Sequence, residues 1–193
     1  MKVRGKLAII CMAMALVLCA CGGLFTTEEE KGAHAYCDDM MRSLQEGSWE
    51  TLLSMLPMGE LFGSVPNVDE GSGEILSAML SRMSYTIDAV EKQEDGHLLV
   101  SMTITNVDVK QLLLNLPEGI GSVEEAAQAM LAALDDAEQK EFAVQLTLAP
   151  VGSGEDARYE LAMDAEEMTG LANALTGGLY DLAVEVLTGG DPS

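Results

Sequence analysis

Leu98-Leu99-Val100-Ser101-Met102-Thr103-Ile104-Thr105 is the stretch that decides the fold. Successive side chains of a strand point to opposite faces, so Leu98, Val100, Met102 and Ile104 line one side and Ser101, Thr103 and Thr105 the other. One dry and one wet face is the mark of an antiparallel sheet covered on a single side. Upstream, Tyr85, Ile87 and Ala89 alternate with Thr86, Asp88 and Val90, and Glu94-Asp95-Gly96 supplies a turn whose glycine suits positive φ. The two runs predict a hairpin. A second follows, in which Phe142, Val144, Leu146 and Leu148 alternate, 150–156 connects, and Tyr159, Leu161 and Met163 alternate back.

A helical period flanks both hairpins. Cys37, Met40, Met41 and Leu44 stand at i, i+3, i+4 and i+7, which predicts an amphipathic helix from Ala33 that Gly47 stops. Ser48 is placed to cap a second helix with Trp49, Leu52, Leu53 and Leu56, ended by Pro57. Residues 58–73 are rich in Gly, Pro, Asn and Ser and read as a loop, followed by a short helix over 74–82 that buries Ile75 and Met79. Asn106 or Asp108 can cap a helix through Leu112, Leu113 and Leu116. Ser122-Val123-Glu124-Glu125 reads as a capping box before Ala126, Ala127, Met130, Leu131 and Leu134. Asp164-Ala165-Glu166-Glu167 opens a last helix with Met168, Leu171, Ala172, Leu175, Leu179, Leu182, Ala183 and Val186. Gly177 and Gly178 fall inside it at about 1 kcal/mol each against Ala, which predicts a kink or a close backbone contact there. The class is α+β: a curved antiparallel sheet packed on N-terminal, middle and C-terminal helices.

Composition bounds the partners. The chain has 193 residues, one domain's worth, and 48% apolar residues, enough for a core. Ten Lys and Arg stand against 32 Asp and Glu, a net charge of −22. That balance argues against nucleic acid and against a polybasic membrane patch, since both depend on clustered cations.

The N-terminus has its own pattern. Lys2, Arg4 and Lys6 precede fourteen uncharged residues, Leu7 to Ala20. This is short of the roughly 20 apolar residues a spanning helix needs and suits a signal-peptide core. It ends in Leu18-Cys19-Ala20-Cys21, which resembles the bacterial lipobox: an apolar residue three before the modified Cys and a small one directly before it. The resemblance implies cleavage between Ala20 and Cys21 and a diacylglyceryl thioether on Cys21, the only cofactor-like group expected. Lipoprotein-processing enzymes and the membrane, through the anchor, are then partners, and the address is the extracytoplasmic face of a bacterial membrane. Two or three acyl chains hold stably where one does not. The domain plan is a signal peptide over 1–20, a lipidated Cys and acidic tether over 21–32, and one α+β domain over 33–190. As a flexible coil, Gly22 to Lys31 would span about 17–19 Å. Losing Lys2, Arg4 and Lys6 takes the net charge from −22 to −25 and leaves Cys37 as the sole cysteine beside the lipidated one. A lone thiol forms no internal disulfide, so the domain must stand unstapled, with Cys37 read as a small buried hydrophobe.

A second resemblance covers about residues 33–188. The helix from Ala33, then Leu44-Gln45-Glu46-Gly47-Ser48-Trp49 and a second helix to Met55, looks like the opening of nuclear-transport-factor-2-like (cystatin-like cone) domains. Thr103-Ile104-Thr105-Asn106-Val107-Asp108 and the segment from Asn173 to Leu179 also look like segments of small lipoproteins in that group. Arg158-Tyr159-Glu160 stands where such chains often carry an aromatic-basic pair. The resemblance implies a cone-like fold and a cavity lined by Trp49, Tyr85, Met102, Phe142 and Tyr159.

Few residues suit catalysis in such a cavity. His34 and His97 sit at ordinarily exposed positions, and Asp88 could act as a general base only if buried, whereas its neighbours turn it to water. One cysteine and two distant histidines make no zinc set. Asn67-Val68-Asp69-Glu70-Gly71 fails as a calcium loop because its Gly falls at the fifth place. Gly71-Ser72-Gly73 and Gly152-Ser153-Gly154 lack the Gly-Lys-Ser/Thr of a phosphate loop. Ten methionines beyond the signal segment lie at core spacing. The expectation is a non-catalytic module that binds an envelope protein or a small ligand. The alternative is an isomerase- or dehydratase-like enzyme with a carboxylate beside Tyr85 or Tyr159 inside the cone. A transporter's two-lobed binding protein would need a longer chain.

Overall fold

A computed structural model describes residues 27–46, 70–152 and 158–182. The element order is α1 (Glu28–Glu46), α2 (Glu70–Leu80), β1 (Ser84–Lys92), β2 (Leu98–Val107), α3 (Val109–Leu114), α4 (Val123–Ala133), a 3-10 turn (Leu134–Asp136), β3 (Gln139–Val151), β4 (Arg158–Leu161) and α5 (Ala165–Leu175). The four strands form one antiparallel meander in the order β1-β2-β3-β4. The chain is α+β.

The decisive alternation in β2 is realised. Leu98, Val100, Met102 and Ile104 are fully buried, while Ser101, Thr103 and Thr105 are partly exposed on the other face. β3 matches it across the ladder, with Met102 opposite Val144 and Ile104 opposite Phe142. Against this dry face pack Ala33, Cys37, Met40, Met41 and Leu44 of α1 and Leu171, Ala174 and Leu175 of α5. Each Met or Leu among these contributes about 1.5–3 kcal/mol when taken from water to full burial, and the alanines less. A smaller second core joins Met79, Val107, Val109, Leu112 and Leu134 at the far end of β2.

The structure corrects several boundaries. β1 does not alternate throughout: the register shifts between Ile87 and Ala89, so Asp88 is an extra residue bulged out of the ladder. Beyond the bulge the phase inverts. Val90, expected on the wet face, lies opposite Val100 and is buried, while Ala89 lies opposite Ser101.

α1 begins at Glu28, so residues 28–32 are helical rather than tether. Thr27 Oγ1 accepts from Glu30 N–H at 3.2 Å and Glu30 Oε2 accepts from Thr27 N–H at 3.0 Å, a reciprocal cap. Glu28, Glu29 and Glu30 occupy the first turn, where negative charge opposes the positive end of the helix dipole. α2 likewise starts at Glu70, inside the expected loop, and stops at Leu80 rather than Arg82.

Ser122 does cap α4, accepting from Glu125 N–H at 3.1 Å, but the box does not close: Glu125 Oε2 accepts instead from Gly121 N–H. None of α4's residues is fully buried. At α5 the box closes as expected, between Asp164 and Glu167. α5 then ends at Leu175 instead of running on, because Gly177 and Gly178 take φ of +62° and +88°. The expected close contact is present there. A Cβ on Gly177 would lie 2.2 Å from the Val107 carbonyl oxygen. The helix expected from Ser48, with Trp49, lies outside the described residues, as do the segment 1–20 and Cys21.

Candidate functional site

The helix that follows the expected anchor is gripped by the sheet along its length. Near its start, the Tyr159 hydroxyl donates to the Glu29 carbonyl at 2.9 Å. The Tyr159 ring also covers Gly32, where a Cβ would come within 2.5 Å of the phenol oxygen, so a larger residue there would push the tyrosine aside. Tyr36 stacks at a tilt on the same ring, centroids 6.1 Å apart. From β1, Lys92 Nζ reaches Glu29 Oε2 at 2.5 Å. Midway, the Tyr85 hydroxyl donates to Asp38 Oδ1 at 2.6 Å, and Arg42 takes the other Asp38 oxygen at 2.5 Å. At the end of the helix Gln45 donates to the Met83 carbonyl at 2.6 Å.

Burial raises the tyrosine hydroxyls and the thiol along this rim. The Tyr85 hydroxyl is pushed up to about 12, by desolvation first and then by its bond to the Asp38 carboxylate. Burial raises Tyr36 and Tyr159 as well, with Cys37 and Glu160 adding to the first and Glu29 to the second. The Cys37 thiol, pointing into the core, rises to about 12 from desolvation alone. A thiolate is the reactive form, so this sulfur is chemically quiet.

Of the residues expected around a cavity, Met102 and Phe142 are buried within the main core, and Tyr85 and Tyr159 pack against that core from its margin. The four border one core but not one site: Tyr85 and Tyr159 stand on the two outer strands, and their hydroxyls engage α1 at Asp38 and at Glu29. Trp49 lies outside the described residues. Asp88 is exposed and accepts from Thr103 Oγ1 at 2.9 Å. His97 sits in the β1–β2 turn with Nδ1 2.7 Å from Asp95 Oδ2, and its hydrogen bonds hold the Asp95 carboxyl below the usual range. His34 lies half-buried on α1. Among the described residues, no group of three or more His, Cys, Asp or Glu is placed to hold a metal ion, and no helix is long and apolar enough to cross a membrane.

One polar residue with structural weight escaped the sequence reading. Asn106, a candidate cap by sequence, is fully buried, and Asp108 caps α3 instead. Asn106 Nδ2 donates to the carbonyls of Ala174 and Leu175, both at 3.0 Å, and its Oδ1 accepts from Val107 N–H at 2.8 Å. It thereby satisfies carbonyls left open where α5 ends. Val109 N–H donates to the Gly177 carbonyl at 3.0 Å and completes the junction. The signal was available: Asn106 continues the dry-face series Leu98, Val100, Met102, Ile104, and a polar group there needs buried partners.

No protein-family model, no curated protein and no solved structure matches the chain.

Proposed function

We propose that the chain is an extracytoplasmic lipoprotein of a bacterial membrane, anchored through a diacylglyceryl thioether on Cys21, whose domain binds a partner or ligand without catalysing a reaction. The observation that carries this reading is the N-terminal pattern itself: three cations, fourteen uncharged residues and Leu18-Cys19-Ala20-Cys21. A nuclear-transport-factor-2-like cone remains the proposed form of the domain. Two features are in keeping with life outside the cytoplasm. Glu28 to Glu30 would be repelled by anionic lipid, and Cys37 is buried with its thiol protonated, so an oxidising compartment finds little thiolate to attack.

The non-catalytic part is supported by how the polar groups are used. Asp38 is the carboxylate beside Tyr85 that an isomerase would call on, yet its two oxygens are engaged by Tyr85 and Arg42. The test of the anchor is metabolic labelling with palmitate. The wild-type chain should take up label and shift to its processed length, and Cys21→Ala should do neither. Equal labelling of the two chains refutes the anchor.

A further inference from the structure

The β1–β2 turn holds the chain's single Asp-Gly step, Asp95-Gly96, and no Asn-Gly occurs. Such a step is chemically fragile, because a glycine leaves its amide nitrogen open to the carboxyl carbon of the residue before it. The nitrogen attacks that carbon and a C–N bond forms, while the amide proton and the carboxyl hydroxyl leave together as water. Water then opens the cyclic imide on either side. When it cleaves the bond to the former main-chain carbonyl, the chain runs on through the side chain as isoaspartate.

In the folded turn both reactants are occupied. Gly96 N–H donates to the Gln93 carbonyl at 3.1 Å. Asp95 Oδ1 accepts from His97 N–H at 3.0 Å, and Oδ2 lies 2.7 Å from His97 Nδ1, which carries the proton because an ionised carboxylate only accepts. These bonds turn the carboxylate toward His97, past the nitrogen it would have to meet. They also favour the ionised form, which has no hydroxyl to lose. Isoaspartate would add a methylene to the main chain inside a turn closed by the bond from Gln93 N–H to the His97 carbonyl at 2.8 Å. The buried Leu98 follows directly.

We propose that Asp95-Gly96 is this chain's site of spontaneous isoaspartate formation and that His97 is the positioning residue that restrains it, with or without an anchor. Incubation of the full chain at neutral pH, followed by peptide mass spectrometry that separates aspartate from isoaspartate, tests this. In guanidinium, isoaspartate should build up faster at position 95 than at any other aspartate, and in the native wild type several-fold more slowly. His97→Ala should raise the native rate at least twofold. His97→Asn, whose amide donates from about the place of Nδ1, should restore the wild-type rate. Faster isomerisation at another aspartate overturns the site. A native wild-type rate equal to that in guanidinium, an unchanged rate in His97→Ala, or an Asn variant as fast as the Ala variant overturns the restraint. The wild-type comparison and the Asn variant decide the matter even where His97→Ala fails to fold, which circular dichroism reports.

Discussion

Replacing Asn106 by Ala removes three hydrogen bonds from a fully buried junction. The Ala174 carbonyl retains a longer bond from Gly177 N–H at 3.3 Å, so the loss falls mainly on the Leu175 carbonyl and the Val107 N–H. An orphaned buried group costs about 1–3 kcal/mol, which puts the variant about 3 kcal/mol below wild type. That is a large share of the 5–15 kcal/mol that ordinarily holds a domain together. In urea, with a slope of about 1–3 kcal/mol per molar, the midpoint followed by far-ultraviolet circular dichroism should fall by at least about 1 M. Asn106→Asp sharpens the test. A carboxylate there would face two carbonyl oxygens, so the acid is stable only when protonated and its folded pKa lies above its unfolded value of about 3.9. Stability contributed by such a group is present below the unfolded pKa and lost as pH rises through the folded one. The Asp variant should therefore be the least stable of the three at pH 7 and close its deficit toward pH 4, whereas the Ala variant should keep its deficit at both. An Ala variant within 1 kcal/mol of wild type, or an Asp variant with a pH-independent deficit, refutes the role given to Asn106.

Other expectations follow from the same geometry. Gly177→Ala combines a positive φ with a clash on the Val107 carbonyl and should cost more than about 2 kcal/mol, while Gly178→Ala, whose nearest neighbour is the Phe142 ring at 3.9 Å, should cost less; paired thermal melts give the order. Cys37 should resist a disulfide-exchange reagent at pH 8 in the native protein and react at once in guanidinium, and rapid native labelling would show that the core opens around α1. The raised Tyr85 and Cys37 groups contribute stability that is intact below about pH 9 and declines as pH climbs toward 12. Tyr85→Phe should lower stability by about 1 kcal/mol or less near neutrality and reduce that alkaline loss, read from urea midpoints at pH 7 and 11.

The strands were legible because burial on one face writes itself as a period of two, which β2 obeys from Leu98 to Asn106 and β3 from Glu141 to Leu148. β1 obeys it only as far as Ile87. A bulge leaves no mark when apolar and polar residues alternate on both sides of it, and Asp88 was legible only as a residue turned to water. The start of α1 was missed because it buries nothing, yet Thr27-Glu28-Glu29-Glu30 carries the spacing of a reciprocal cap. At α4 the apolar spacing overstated burial, since Met130 and Leu131 are only half covered and Val123 is 69% exposed. The candidate anchor is a matter of linear sequence, whereas the grip on α1 is not: Tyr159 and Glu29 stand 130 residues apart, and only the sheet order brings them together.

The bulge at Asp88 shapes how the outer strand could meet another copy, above all if the chain is anchored as proposed. β1 is the outer strand of the meander, and an outer strand offers unpaired amides and carbonyls on which a neighbouring copy could extend the sheet. The proposed anchor would confine many copies to two dimensions and raise the frequency of such side-on encounters. An extra residue carrying a carboxylate in mid-strand breaks the regular spacing a docking strand would need, and β4 at the opposite margin is only four residues long. Crowded copies can then jostle without fusing into a common sheet.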